Sequence, residues 1–297
     1  MTLTHGAIAG ALSTVPDLDS ALADYRDRLG LQVVDEGRLD ADLAASWNCP
    51  ANAGARIVSL QPTSGAPCFL RLVEQPVPAG FVPTRTFGWS AFELTVQDVY
   101  GWPAKLAGSG FEVVGPPREI DGLPYFVPMQ VIGTSGEMLY LNERRSDTPS
   151  SDLPVAHSPV DKAFIVILAA PDRAAAVEWY RARLGLDEGG TYEIVYSMIN
   201  NAFALPPETI SALTMVQCGR LPIVEIDAYP AAATARPAAP DCLPPANALV
   251  TLAVDSLDAC RCDWITPPVV RDGPLYAGRR AATTHGPAGE LLELIEL

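Results

Sequence analysis

The stretch Asp17–Leu31, Asp-Leu-Asp-Ser-Ala-Leu-Ala-Asp-Tyr-Arg-Asp-Arg-Leu-Gly-Leu, decides the fold because it occurs twice. Its second copy, 155 residues later, is Asp172–Leu186, Asp-Arg-Ala-Ala-Ala-Val-Glu-Trp-Tyr-Arg-Ala-Arg-Leu-Gly-Leu. The two share Asp, Tyr-Arg, Arg-Leu and Gly-Leu in register, and each follows a proline, Pro16 or Pro171. An echo at fixed spacing marks a repeated supersecondary unit. Leu18, Ala21, Leu22, Tyr25 and Leu29 form one apolar stripe at helical period, as do Ala176, Val177, Tyr180 and Leu184 in the second copy. Asp17 suits an N-cap, and Gly30 and Gly185 suit the left-handed stop. Arg26, Arg28, Arg181 and Arg183 set cations at the negative helix end.

Working outward, residues 6–15 read as a strand before the first helix. Leu31–Glu36, Arg56–Gln61 and Phe69–Glu74 read as strands after it, with a short helix at Asp40–Trp47. A second unit has strands at Ser90–Val96, Phe111–Val114, Met129–Ile132 and Glu137–Asn142, a helix at Asp98–Gly108, and a hairpin at Gly133-Thr-Ser-Gly136. Arg144–Val160 is polar and rich in Pro and Ser, which places a linker at 144–160. The pattern restarts with strands at Ala163–Leu168, Leu213–Gln217 and Ile223–Asp227, then a Pro-rich connector at Tyr229–Asn247. Leu249–Val254, a short helix at Leu257–Trp264, and strands at Ala281–Thr284 and Glu290–Ile295 complete the chain. The fold class expected is α+β: four βαβββ units paired into two tandem domains, 1–143 (units 5–75 and 85–143) and 161–297 (units 161–229 and 247–297). Each domain would be a curled mixed sheet forming a cup with helices outside.

The 297 residues, 48% hydrophobic and 19% charged, suit two soluble globular domains. A net charge of -15 disfavours nucleic acid and anionic membranes, since phosphate binding needs clustered Lys and Arg. No apolar run is long enough to span a bilayer, and no basic, cleavable leader begins the chain, so a cytoplasmic location is expected. Six scattered cysteines lack zinc-ligand spacing and read as reduced structural thiols.

The order strand, Asp-led helix, Tyr-Arg-x-x-Leu-Gly-Leu, then Gly-x-x-Gly-x-Leu-x-Glu-Leu resembles the vicinal oxygen chelate superfamily. That group includes glyoxalase I, bleomycin-resistance proteins, methylmalonyl-CoA epimerase and extradiol dioxygenases. The resemblance covers almost the whole chain and implies two cups, each with a His/Glu metal set on its first and last strands. Carried over residue by residue, those positions fall on Gly10, Arg71, Ala91 and Tyr140 in the first domain, and on Ile165, Glu225, Leu249 and Glu293 in the second. Two carboxylates remain, and neither imidazole does. His5, His157 and His285 fall off the ligand positions. A catalytic metal usually needs about three protein ligands, so no cofactor is expected. A divalent ion held weakly by Glu225 and Glu293 is the residual option.

Strand alternation then assigns the linings. The first cup should present Arg71, Glu93 and Tyr140 among apolar residues, either as a ligand pocket or as a closed Arg71–Glu93 ion pair. The second should present Glu225, Glu293 and Thr251, ringed by Ile165, Ile167, Ile223, Leu249 and Leu291. Two carboxylates in an aliphatic cup should have raised pKa values and serve as acid and base. Tyr196 and Asn200 are candidates to orient a ligand from the roof, although Asn200-Asn201 also suits a turn. The first functional reading is therefore a metal-independent lyase or isomerase acting on a small carbonyl-bearing or aromatic molecule through Glu225 and Glu293. The alternatives are a sequestering protein of the bleomycin-resistance type and a divalent-metal-dependent dioxygenase or glyoxalase. The expected partner is a small molecule. A homodimer is compatible with the sequence but is not needed to build a cup.

Overall fold

A computed structural model describes residues 2–297. The first unit comprises β1 (Ile8–Val15), α1 (Leu18–Ala23), β2 (Gln32–Arg38), α2 (Ala41–Ser46), β3 (Arg56–Gln61) and β4 (Phe69–Glu74). The second comprises β5 (Gly88–Val96), α3 (Trp102–Lys105), β6 (Glu112–Gly115), β7 (Phe126–Ile132) and β8 (Met138–Arg144). The third comprises β9 (Val160–Ala170), α4 (Arg173–Leu184), β10 (Asp187–Val195), α5 (Ser197–Phe203), β11 (Ile210–Cys218) and β12 (Leu221–Ala228). The fourth comprises β13 (Asn247–Val254), β14 (Val269–Arg271), β15 (Arg279–His285) and β16 (Leu291–Glu296).

Both copies of the repeated stretch form their helix for the expected reasons. Asp17 accepts from the Ser20 N–H and Asp172 from the Ala175 N–H, each at 3.0 Å. Gly30 (φ +74°) and Gly185 (φ +70°) turn the chain out of the helix through the left-handed region. In the first copy the last turn, Asp24–Arg28, widens to a π-helix, with the Leu29 N–H on the Asp24 carbonyl at 3.1 Å. The shared tyrosine ties each helix to the hairpin of the following unit. Tyr25 donates to Glu137 at 3.4 Å, and Tyr180 donates to Glu290 at 2.8 Å.

The strands form two eight-stranded mixed sheets, ordered β14-β15-β16-β13-β1-β4-β3-β2 and β10-β11-β12-β9-β5-β8-β7-β6. Curled sheets of four βαβββ units were expected, but the pairing differs. Unit one shares a sheet with unit four through antiparallel β1 and β13, and unit two with unit three through antiparallel β5 and β9. Each cup therefore draws on both halves of the chain rather than on one tandem domain. The first strands β1 and β13 are buried along their whole length, so each needs a neighbour on both sides. Burial alone does not say which first strand that neighbour is. The convex faces and the helix stripes share one core that includes Leu18, Tyr25, Trp89, Phe92, Tyr180 and Leu252.

Three local expectations are corrected. Leu257–Trp264 is not a helix: it is a turn, and Trp264 bridges to Thr284. The segment is too short to repay helix nucleation and runs into Pro267-Pro268. Asn200-Asn201 lies within α5 rather than at a turn. Ile223 does not line a cup, because the β11–β12 register slips between Val216 and Gln217 and sends it to the convex core. Among the described residues no helix is long and apolar enough to cross a membrane.

Candidate functional site

The two cups have the same architecture and opposite interiors. In the cup of units one and four, Arg71 on β4 and Glu293 on β16 lie 2.9 Å apart, and both are almost wholly buried. Glu293 also accepts from Thr251 at 2.6 Å, Tyr276 at 2.8 Å and the Trp47 indole at 2.8 Å. Arg71 donates to Tyr276 at 2.9 Å and to Thr251 at 2.7 Å, and its guanidinium sits 4.9 Å from the Trp47 ring centre. Trp47 arrives just after α2 and Tyr276 from the β14–β15 loop, so one loop from each unit plugs the cup. Gly10 makes room for that plug, since a Cβ there would stand 2.7 Å from Leu275 Cδ1. Burial pushes the Glu293 carboxyl up, but the Arg71 charge and the hydrogen bonds from Thr251, Trp47 and Tyr276 outweigh it and hold it below the usual range.

The cup of units two and three is open. It holds a cavity of about 410 Å³ whose wall includes Tyr125, Phe126, Phe164, Tyr192, Leu213 and Met215. Glu93, Tyr140, Asn142, Tyr196 and Glu225 add polar groups to that wall. Glu93 lies beside Tyr140 across the parallel β5–β8 pair and opposite Ile165 on β9. Tyr196, on the residue before α5, sits 3.1 Å from Glu225 Oε1 and 3.2 Å from the Tyr140 hydroxyl. The Asn142 amide donates to Glu93.

Three carboxyls converge here without a cationic partner. Glu93, Glu225 and Asp227 form no salt bridge with any Arg, Lys or His among the described residues. Burial raises all three. Glu225 is pushed up to about 7, with hydrogen bonds from Tyr196 and Asp227 restraining the rise. Asp227 and Glu93 rise further, by burial first and then by the Glu225 charge. Burial and the Glu225 charge together favour the neutral form of Asp227. Glu225 is the member that exchanges a proton near neutrality.

Of the residues expected from the sequence, the structure brings Glu93, Tyr140, Tyr196 and Glu225 together. Arg71, Thr251 and Glu293 occupy the closed cup, so Glu225 and Glu293 are not neighbours and the expected paired carboxylates do not exist. The expected Arg71–Glu93 ion pair is replaced by Arg71–Glu293. Asn200 spends its amide on the Pro207 and Thr209 carbonyls, at 3.2 and 2.9 Å, and is absent from the cavity wall. The first-strand positions facing across the sheets are Gly10 opposite Thr251 and Ile165 opposite Glu93, two residues beyond Leu249 and Ala91. Asp227 and Asn142 were missed. Period-two alternation from Glu225 and Tyr140 points to both.

The divalent-metal set implied by the resemblance does not fit. Arg71 fills one cup with a fixed cation. The other offers carboxyls but no imidazole. Among the described residues no group of three or more His, Cys, Asp or Glu side chains is arranged to hold a metal ion. Two carboxylates in different cups, Glu225 and Glu293, do not share one either.

No family model and no curated protein sequence matches the chain. Solved structures do. Glyoxalase I from Zea mays superposes with a TM-score of 0.64 at 16% identity, covering 98% of this chain and 92% of that one. A candidate dioxygenase from Bacillus subtilis subsp. subtilis str. 168 superposes with a TM-score of 0.63 at 13% identity, covering 99% and 86%. At these identities the likeness concerns the fold. The chain has the tandem glyoxalase-type α+β fold.

Proposed function

We propose that the open cup is an acid–base active site for a small aromatic or carbonyl-bearing molecule, with Glu225 as the group that moves the proton. One observation carries this reading: a half-buried carboxyl without a cationic partner stands on the wall of an aromatic cavity, where burial pushes its pKa up to about 7. A carboxylate poised near working pH is matched to abstracting a proton from carbon next to a carbonyl. The aromatic walls hold the apolar body of the substrate and exclude water. Glu225 takes the proton, and the electron pair moves onto the carbonyl oxygen. Tyr140, together with Glu93 whose neutral form burial favours, would donate to that developing oxyanion, while the Tyr196 hydroxyl donates to Glu225. Returning the proton to a different carbon or face gives an isomerase, and expelling a β-substituent gives a lyase.

The probe is α-hydroxyacetophenone in D₂O, followed by loss of its α-proton signal in the NMR spectrum. Exchange should depend on the protein and fall by roughly 10²–10⁴-fold in Glu225→Gln. Equal exchange in folded Glu225→Gln and wild type removes the proposal. A probe that binds in the cup and is recovered without exchange would point instead to retention of ligands, which the aromatic walls also suit.

A further inference from the structure

A second cavity, of about 380 Å³, lies between the connector 229–246, the start of β5 and the β15–β16 hairpin. Arg236 forms part of its wall. Its Nε donates to Thr86 Oγ1 at 3.0 Å and its Nη2 to the Trp89 carbonyl at 2.6 Å. Its Nη1 donates to the Asn247 and Pro245 carbonyls at 2.7 and 3.4 Å. Every one of these acceptors is neutral. A guanidinium has five N–H groups, so one Nη2 hydrogen has no acceptor among the described residues.

Beyond these bonds the guanidinium faces the Phe81 ring, whose centre lies 5.7 Å away, and meets no negative charge. No carboxylate lies within ion-pair distance of Arg236 among the described residues, and burial lowers its pKa to about 10. Glu290 is also in the cavity wall but is turned away. Its two oxygens accept from Tyr180 and from the Ala288 N–H, both at 2.8 Å. Asp241 stands at the solvent-exposed rim. Elsewhere in this chain the buried arginine, Arg71, has its carboxylate, Glu293. Arg236 is half-buried, and a cation partly withdrawn from water among neutral acceptors is a ready partner for an anion from outside.

We propose that this cavity binds a small organic monocarboxylate, with the carboxylate on the free Nη2 hydrogen of Arg236 and an apolar body against Phe87 and Trp89. The site is separate from the open cup, and the proposal does not rest on acid–base chemistry there. A single free donor suits one carboxylate oxygen better than a phosphate dianion, which would seek several donors and meet Asp241.

The test uses benzoate and inorganic phosphate, each titrated into the full-length protein by calorimetry. Benzoate is expected to bind at about millimolar or tighter. Its affinity should be the same in Glu225→Gln and at least tenfold weaker in Arg236→Gln. Because Arg236 also fastens the connector, Ala239→Trp provides a second variant. It adds bulk at an exposed position of the wall without touching Arg236, and should weaken benzoate equally while leaving the melting temperature unchanged. Three results overturn the proposal: no benzoate binding at 10 mM (about tenfold above the expected constant), benzoate affinity that survives Ala239→Trp, or phosphate bound more tightly than benzoate.

Discussion

Replacing Glu293 by Gln should damage stability and spare the chemistry of the other cup. The carboxylate accepts four hydrogen bonds, two on Oε1 from Trp47 and Tyr276 and two on Oε2 from Arg71 and Thr251. A glutamine keeps one acceptor oxygen and turns an NH₂ toward two donors. It also leaves Arg71, only 3% exposed, as an uncompensated cation. Breaking one partner out of a buried pair costs about 3–5 kcal/mol. At roughly 2 °C per kcal/mol for a chain of this size, the melting temperature should fall by roughly 6–10 °C. Arg71→Met combined with Glu293→Leu removes both charges and should recover most of the loss. The pH dependence carries a sign. The folded pKa of Glu293 is depressed, so its contribution is complete above its ordinary value of 4.5 and fades as pH falls through the lower folded value. Glu293→Gln should lack that acid-limb component. Calorimetric melting and the deuterium-exchange assay, run on the same samples, decide the matter. A melting temperature within 2 °C of wild type together with lost exchange would refute the structural role (about 1 kcal/mol being the resolvable limit).

The other expectations concern the raised carboxyls and the repeated tyrosines. Glu225 folds with its pKa raised from 4.5 to about 7, so the folded state binds the extra proton and stability should decline as pH rises through that window. Melting temperatures between pH 4.5 and 7 should show a shallower decline in Glu225→Gln than in wild type, and parallel slopes would contradict the burial assigned to it. Tyr180→Phe removes a 2.8 Å hydrogen bond to Glu290 and should cost about 1–2 kcal/mol in chemical denaturation. Tyr25→Phe breaks a 3.4 Å contact with Glu137 and should cost less, so a reversed order would undermine the hairpin-clamp role of the repeated helix.

Much of the fold is legible in the chain because it is encoded locally. The helix stripe Leu18, Tyr25 and Leu29, its Asp cap and its Gly stop lie within fifteen residues, and β3 and β4 fall at Arg56–Gln61 and Phe69–Glu74 as expected. Sheet partnership is encoded differently. β1 and β13 are apolar on both faces, so their patterns are satisfied by any other first strand. Choosing among partners needs the packing of the whole molecule. That choice then governs the site. Glu225 and Glu293 look equivalent along the chain, yet the β1–β13 and β5–β9 pairings send them to different cups. Glu93, Tyr140, Tyr196 and Glu225 could be read as cup residues because alternation along a strand is local. Asn200 could not, since its amide is used within its own helix and loop.

The last strands of the four units contribute Arg71, Tyr140, Glu225 and Glu293, and the sheet pairing sorts them two by two. One cup receives Arg71 with Glu293. Opposite charges at that separation neutralise each other, draw in Thr251, Trp47 and Tyr276, and make closure favourable. The other cup receives Glu225 with Tyr140, and its first strand adds Glu93. Carboxyls buried without a cation resist closure, and binding protons relieves that cost, in keeping with the upward shift that burial gives Glu93, Glu225 and Asp227. The same scaffold thus yields a staple on one side and a proton-exchanging cavity on the other. The difference follows from which residue stands at one position of each last strand. Placing Arg at Tyr140 should therefore convert the open cup toward the closed one: the charge would pair with Glu225 or Glu93, lower their pKa values and fill the cavity. Retention of the Glu225 titration near 7 in Tyr140→Arg, followed by carboxyl NMR, would show that charge pairing is not what separates the two cups.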